Sequence, residues 1–299
     1  MFISELGFRV WGLGFSESAS NRVDIINGHE IYIINQLKMS FRASPFKSLL
    51  ICLVVLKMST AVEMKTRRHV VLSTYREMPS QLLGRLSECI GSDDLLFVYH
   101  HTGKYRDHNN HGKIDSTVTV DDWRQTAEAI GVDARVYELY NEWSSGDEAS
   151  AYLLHIALNY EALSDRTVFL HGHIASWHSE DICSLITRGF SANDNFVELN
   201  LPYPHRCVSD RGCTGPYVNE DVRATLMGKW ASVVGTPTPE RLTWSCCAQF
   251  AATSATIRRR PQTTWWKLYL HSMFDQHIQW EYMWDTLVDQ DRAVAAGTC

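Results

Sequence analysis

The sequence predicts an α/β fold: a mainly parallel sheet flanked by helices. Three observations carry this. Short apolar runs alternate with stretches that space their apolar residues at helical period, from residue 67 to about residue 190. Strand-like and helix-like stretches interleave instead of grouping, which asks for a parallel sheet with right-handed crossovers. Stop and cap residues such as Gly91, Thr119 and Asp121 fall between the runs.

In order, "HVVLST" (His69 to Thr74) reads as a buried strand and "PSQLLGRLSECIG" as a helix stopped by Gly91. "DLLFVYHH" is a second strand, "TVDDWRQTAEAIG" a helix, and "ARVYELYN" a third strand. "GDEASAYLLHIALNYEALS" is an amphipathic helix, "RTVFLHGH" a fourth strand, and "SEDICSLITRGF" another helix. Beyond residue 190 the alternation weakens. "NLPYPHRCVSDRGCTGPY" is rich in turn residues, and "DVRATLMGKWASVVG" is a helix ending at Gly235. "WSCCAQFAATSATIRRRP" is a strand running into a helix that stops at Pro261. Two aromatic helices follow, "TTWWKLYLHSMFDQH" and "IQWEYMWDTLV", the second presenting Trp280, Met283, Trp284 and Leu287.

The chain has 299 residues, 45% hydrophobic and 21% charged, with a net charge of -6, so it is globular and carries no basic surface for nucleic acid. The run "LLICLVVL", Leu49 to Leu56, follows Lys38, Arg42 and Lys47 and precedes Ser59 to Ala61. This is a secretory signal pattern over about 47–61, cleaved or kept as a short membrane anchor. Eight apolar residues fall short of the roughly 20 that span a bilayer, and a buried strand or helix is the other reading. The pattern starts cleanly at Met39, which leaves Met1 or Met39 as the true start. The expected organisation is an N-terminal extension, 1–66, and one α/β domain, 67–299. The expected location is the secretory pathway, membrane-anchored in the Golgi or endoplasmic reticulum lumen, or secreted.

In that setting the eight cysteines become disulfide candidates. None shows C-x-x-C spacing, which weakens a structural zinc reading. At least one bridge is expected among Cys207, Cys213, Cys246, Cys247 and Cys299. Cys207–Cys213 is the local candidate, and Cys246 and Cys247, adjacent in a strand, point to opposite faces.

Ligands of parallel α/β sheets sit at the carboxyl ends of the strands. Three loops occupy that position: Thr74 to Glu77, Asn141 to Glu148 and His171 to His178. His171 and His173 share one face of an extended segment, and His178 returns after a short loop. The three are candidate ligands of a divalent ion, Mn²⁺ or Zn²⁺, or hydrogen-bond donors to phosphate or sugar hydroxyls. Glu148, in the first turn of its helix, either complements the helix dipole or supports a histidine. Gln249 and Arg258 to Arg260 form a second polar group, a candidate diphosphate site or a solvated face. His100, His101, His108 and His111 read as a mobile loop or lid. Glu281, among aromatics, is the candidate general base. No G-x-S-x-G elbow, P-loop or G-x-G-x-x-G fingerprint is present.

These segments together resemble the domain-of-unknown-function family 3431. "GDEASAYLLHIALNYEALSDRTVFLHGH", the "WH" at 177–178, "ELNLPYPHRC" with "GC", "CCAQFAATSATIRRRP" and "EYMWDTLV" carry the resemblance, over about Arg67 to Cys299. Asp147 stands where the family has arginine, and Asp285 where it has histidine. The family's outline resembles the type-A glycosyltransferases (nucleotide-diphospho-sugar transferases), which open with a nucleotide-binding βα unit, as at "HVVLSTYRE". Such enzymes carry D-x-D where this chain has His171-x-His173, and often a carboxylate base on a late helix. The resemblance implies transfer of a sugar from a nucleotide donor to a glycan or glycoprotein acceptor. Tyr75, Glu148, His171, His173 and Gln249 would bind substrate, and Glu281 would take the acceptor's proton. Two rivals stay open: a metal-dependent hydrolase holding zinc on His171, His173 and His178, and a non-catalytic secreted carbohydrate-binding protein.

Overall fold

The computed structural model describes residues 24–26, 29–31, 67–102, 104–106, 113–115, 117–140, 147–176, 179–200, 206–209, 228, 230–238, 241–244, 248–274 and 283–289. The chain divides into two compact units, Met1–Thr60 and Ala61–Cys299. In the first, the described strands Asp24–Ile26 and His29–Ile31 pair antiparallel. The signal-like run Leu49 to Leu56 lies outside the described residues. Among the described residues no helix is long and apolar enough to cross a membrane.

The second unit is the expected α/β fold. Its sheet has six strands: β1 Arg68–Thr74, β2 Asp94–Thr102, β3 Ala134–Tyr140, β4 Arg166–His171, β5 Phe196–Glu198 and β6 Phe250–Thr253. Their order is β3-β2-β1-β4-β6-β5. The first four are parallel to one another, while β6 runs antiparallel to both its neighbours. Within this sheet, the short β5 and the reversal of β6 depart from the expected elements; outside it, Lys104–Arg106 pairs antiparallel with Lys113–Asp115 in the stretch expected to be a loop.

The described helices include α1 Pro79–Leu86, α2 Val120–Ile130, α3 Asp147–Asn159, α4 Ile182–Ser191, α5 Ser254–Ile257, α6 Gln262–Phe274 and α7 Trp284–Val288; residues 230–234 are helical as well, ahead of Gly235 as expected. Thr119 caps α2 in a capping box with Asp122, and Gly131 closes it in the left-handed region at φ 81°. Asp121 instead pairs with Arg124 at 2.9 Å. The helix expected to stop at Pro261 is the short α5, which already ends at Ile257, and α6 starts directly after Pro261.

Both sheet faces are buried, so the central strands are apolar on both sides. Val70, Leu72, Leu96, Val98, Val168 and Leu170 pack on one face with Leu82, Leu83, Trp123, Ile182 and Ile186 of α1, α2 and α4. Val71, Phe97, Tyr99, Phe169 and Phe250 pack on the other with Tyr152, Ile156, Trp265, Leu268 and Trp284 of α3, α6 and α7. The result is three layers, helix, sheet and helix.

A disulfide, Cys89–Cys183, joins the segment after α1 to the start of α4. It is a pair the cysteine spacing did not single out. Cys213, Cys246, Cys247 and Cys299 lie outside the described residues, and Cys207 falls in the strand Arg206–Ser209, which pairs with Arg241–Trp244. The bridge expected among those five has no described counterpart.

Candidate functional site

Strand order reverses beside β1. The chain steps from β1 to β2 and β3 on one side, then returns to place β4 on the other. The carboxyl ends of β1 and β4 lie side by side at this reversal, the place where open α/β sheets bind ligands. Ser73 and His171 are register partners there, and the Gly172 amide donates to the Ser73 carbonyl at 2.9 Å.

Two carboxylate–imidazole pairs line this rim. Glu77 Oε1 lies 3.3 Å from His173 Nδ1. Glu148 Oε1, on the first turn of α3, lies 3.9 Å from His171 Nε2. The two imidazole rings stand edge to face, 5.8 Å apart. The other oxygen of Glu77, Oε2, accepts the amides of Tyr75 at 2.5 Å and Arg76 at 3.0 Å, which fixes the carboxylate at the exit of β1. Tyr75 is half-buried, with the Arg76 guanidinium 5.1 Å over its ring.

Burial by itself pushes the Glu77 carboxyl up, but the hydrogen bonds from His173 and from the Tyr75 amide outweigh it and hold the group below the ordinary carboxylate range. The same hydrogen bond raises the His173 imidazole, against a smaller opposing effect of burial. Gly172 lets the loop after β4 come down on this pair. A Cβ there would stand 2.8 Å from Thr74 Cγ2 and 3.1 Å from Glu77 Cδ.

Beneath the rim lies a buried polar layer. His100 Nε2 donates to the Val118 carbonyl at 2.9 Å, so its Nδ1 accepts from Trp123 Nε1 at 3.2 Å and contacts Thr74 Oγ1 at 3.0 Å. His101 Nε2 meets Ser73 Oγ at 3.1 Å. The expected mobile histidine loop is therefore corrected for this half. His100 and His101 are buried residues of β2, because the strand continues through them to Thr102. His108 and His111 lie outside the described residues.

Because β6 is antiparallel, it enters the sheet at this same rim. Gln249, just before it, is 2% exposed. Its Oε1 accepts the His171 amide at 3.3 Å, and its Nε2 donates to Asn200 Oδ1 at 3.0 Å. Gln249 thus acts on the rim through His171, held by Asn200, a residue the sequence reading did not single out. Its neighbour Ala248 takes a positive φ of 48°, the only described non-glycine residue to do so, at the point where the chain turns into β6.

The three arginines part company with Gln249. They follow the far end of β6, where Thr253 pairs with Arg166 at the start of β4, on the edge opposite the histidines. Arg258 donates to the Tyr160 and Glu161 carbonyls, and Arg259 lies 3.4 Å from Asp289. Arg260, 4% exposed, donates to the carbonyls of Leu287 at 2.6 Å and Thr286 at 3.1 Å, closing the end of α7. Burial lowers its guanidinium to about 10. The diphosphate reading of this group is overturned by its place in the sheet and by the carbonyls it holds. Arg260→Lys keeps the charge but loses the planar fork, and is expected to cost about 1 kcal/mol, read as a lower denaturation midpoint.

His178 and Glu281 lie outside the described residues. Among the described residues no three His, Cys, Asp or Glu are grouped to hold a metal ion. The described part of the rim holds the two pairs Glu77–His173 and Glu148–His171.

No curated protein matches the chain. Residues 114–298, more than half of the chain and including α2, α3, β4, α4, β6 and α7, match a family described as protein of unknown function (DUF3431). The chain belongs to that family.

Proposed function

We propose that the rim at the carboxyl ends of β1 and β4 binds a nucleotide-sugar donor and that the protein is a glycosyltransferase. The observation that supports this reading is the meeting of Glu77, Glu148, His171 and His173 at the point where strand order reverses. A donor diphosphate needs hydrogen-bond donors at such a rim. The imidazoles of His171 and His173 supply them, His173 oriented by its hydrogen bond to Glu77 and His171 with Glu148 3.9 Å away, and half-buried Tyr75 offers a flat face beside them.

In the reaction, the acceptor oxygen bonds to the anomeric carbon while the carbon–oxygen bond to the diphosphate breaks. The electron pair leaves with the nucleoside diphosphate, and the acceptor's proton passes to Glu281 in this reading. A glycan or glycoprotein acceptor in the secretory pathway fits the signal-like N-terminal run.

The test is thermal denaturation of the full chain against nucleotide sugars, with and without Mn²⁺ or Zn²⁺. A donor at 100 times its dissociation constant stabilises by about 2.7 kcal/mol. Stabilisation by zinc alone, with no response to any nucleotide sugar, replaces this reading with the hydrolase. Stabilisation by glycans alone replaces it with carbohydrate binding. Once transfer is detected, Glu281→Gln is expected to slow it with donor affinity intact, because glutamine keeps the shape but takes no proton.

A further inference from the structure

We propose that the Cys89–Cys183 disulfide is a positioning device for the rim: with the Arg85–Asp181 ion pair beside it, it holds the loop carrying His173 against α1 so that His173 stays on Glu77. The consequence for ligand binding rests on the reading given above; the positioning itself does not.

Glu77 lies two residues before α1, and His173 opens the loop that leads to α4. That loop closes on itself. The Ile182 amide donates to the Ile174 carbonyl at 2.8 Å, and Ser176 and Ser179 bridge inside it, their hydroxyls 2.9 Å apart. Cys183 is therefore one residue from the clasp, and the clasp's other half, Ile174, is one residue from His173. Motion of Cys183 passes directly to His173.

The start of α4 is tied to α1 and the segment after it in two ways. Arg85, in the last turn of α1, holds both oxygens of Asp181 at 2.8 and 2.9 Å, and Asp181 is the N-cap of α4. The disulfide adds the covalent tie from Cys89. Both lie on the α1–α4 side of the sheet, so the helices that follow the two rim loops are cross-linked to each other. Arg85 and Asp181 are about one-third exposed, and an ion pair that water reaches holds weakly by itself. The covalent bond is what fixes the loop.

Cys89 is only part-buried, so the bond is open to thiol–disulfide exchange. A thiolate of a dithiol reductant attacks the Cys89 sulfur, and Cys183 leaves as a thiolate. The reductant's second thiol then displaces Cys89. The reductant ends as its own disulfide, and the protein carries two thiols.

The experiment measures amide hydrogen exchange in the full chain, oxidised and after dithiothreitol. The Cys89→Ser, Cys183→Ser double variant isolates this bond from any other the reductant breaks. Reduction and the double variant are each expected to speed exchange of the Ile182 amide at least tenfold, with Val70 to Leu72 of β1 unchanged. Arg68→Ala serves as a control, since it breaks the Arg68–Asp94 pair at the opposite edge of the sheet. Unchanged exchange at Ile182 overturns the proposal. So does equal acceleration in Arg68→Ala at a matched loss of melting temperature, because the bond then lends only general stability. A second arm uses UDP-glucose with Mn²⁺ as the probe. Its affinity is expected to fall at least tenfold on reduction and to return on reoxidation. If oxidised protein binds no nucleotide sugar, the functional reading fails, and the exchange result still decides the positioning.

Discussion

Gly172→Ala is expected to lower stability by about 1–3 kcal/mol, the usual cost of inserting a methyl into a packed site. The added Cβ would lie 2.8 Å from Thr74 Cγ2 and 3.1 to 3.2 Å from two carbons of Glu77. Thr74 has nowhere to go. It is 1% exposed, and its hydroxyl is 3.0 Å from His100 Nδ1, which in turn is held by Trp123. Glu77 can move, but only by leaving His173 or the amides of Tyr75 and Arg76. Alanine also restricts the unfolded chain, which returns about 0.4–1 kcal/mol. The steric cost is the larger, so the net sign is destabilising. Chemical denaturation checks this: the midpoint should fall with an unchanged slope, and an unchanged midpoint refutes the tight contact at Gly172.

Acid is expected to destabilise the protein from about pH 6.5 downward, earlier than carboxylate titration alone would do it. His155 on α3 is fully buried, enclosed by the rings of His69, Phe97, Tyr99 and Phe169. Its Nδ1 meets the Tyr99 hydroxyl at 3.2 Å and the Asn159 amide at 3.3 Å, while its Nε2 has no hydrogen-bond partner. Desolvation, and then the nearby His69, hold its imidazole well below the ordinary value. Burial lowers His100 as well.

A base depressed in the folded state binds fewer protons there than in the unfolded chain. Its stability is fully present above the unfolded value, near 6.5, and is lost as pH falls through it, at about 1.4 kcal/mol per pH unit for each such group. His173 has the opposite sign. Its raised imidazole contributes stability below the unfolded value and loses it as pH rises, so it does not mask the acid limb. Glu77, Asp122 and Asp181, all lowered, act only nearer pH 4. His155→Leu should flatten the stability profile between about pH 6.5 and 4.5 by close to one proton. An unchanged slope in that variant would show that His155 is not the group responsible.

The four parallel strands and the helices between them were legible because burial on both faces writes itself into apolar runs such as "HVVLST" and "RTVFLH". β5 was not, since three residues, Phe196–Glu198, carry no period. Nor was the reversal of β6, because a strand's apolar pattern is the same in either direction. The histidines of the rim were legible from H-x-H at a strand end. The partner of His173 is set by the pairing of β1 with β4, not by any local spacing, and so Glu77 stood in the sequence only as part of a loop. The arginine run misled for the reverse reason. Three adjacent cations look like a binding surface, yet Arg258 and Arg260 hold the carbonyls at the ends of other elements. The Cys89–Cys183 pair, 94 residues apart, had no local signature at all.

The place of β1 shapes how the domain emerges during synthesis. β1 comes first among the strands of the sheet, yet it sits in its interior, bonded to β2 on one edge and to β4 on the other. β2 follows at once and covers one edge. The strand for the other edge is made on the order of 100 residues later, about 5–20 s at ribosomal rates of 5–20 residues per second. Through that interval a bare edge with the sequence Val70-Val71-Leu72 waits unpaired, an open template for another nascent chain. The same delay orders the oxidation, since Cys183 follows β4 by twelve residues and its thiol arrives only after the strand that closes the edge.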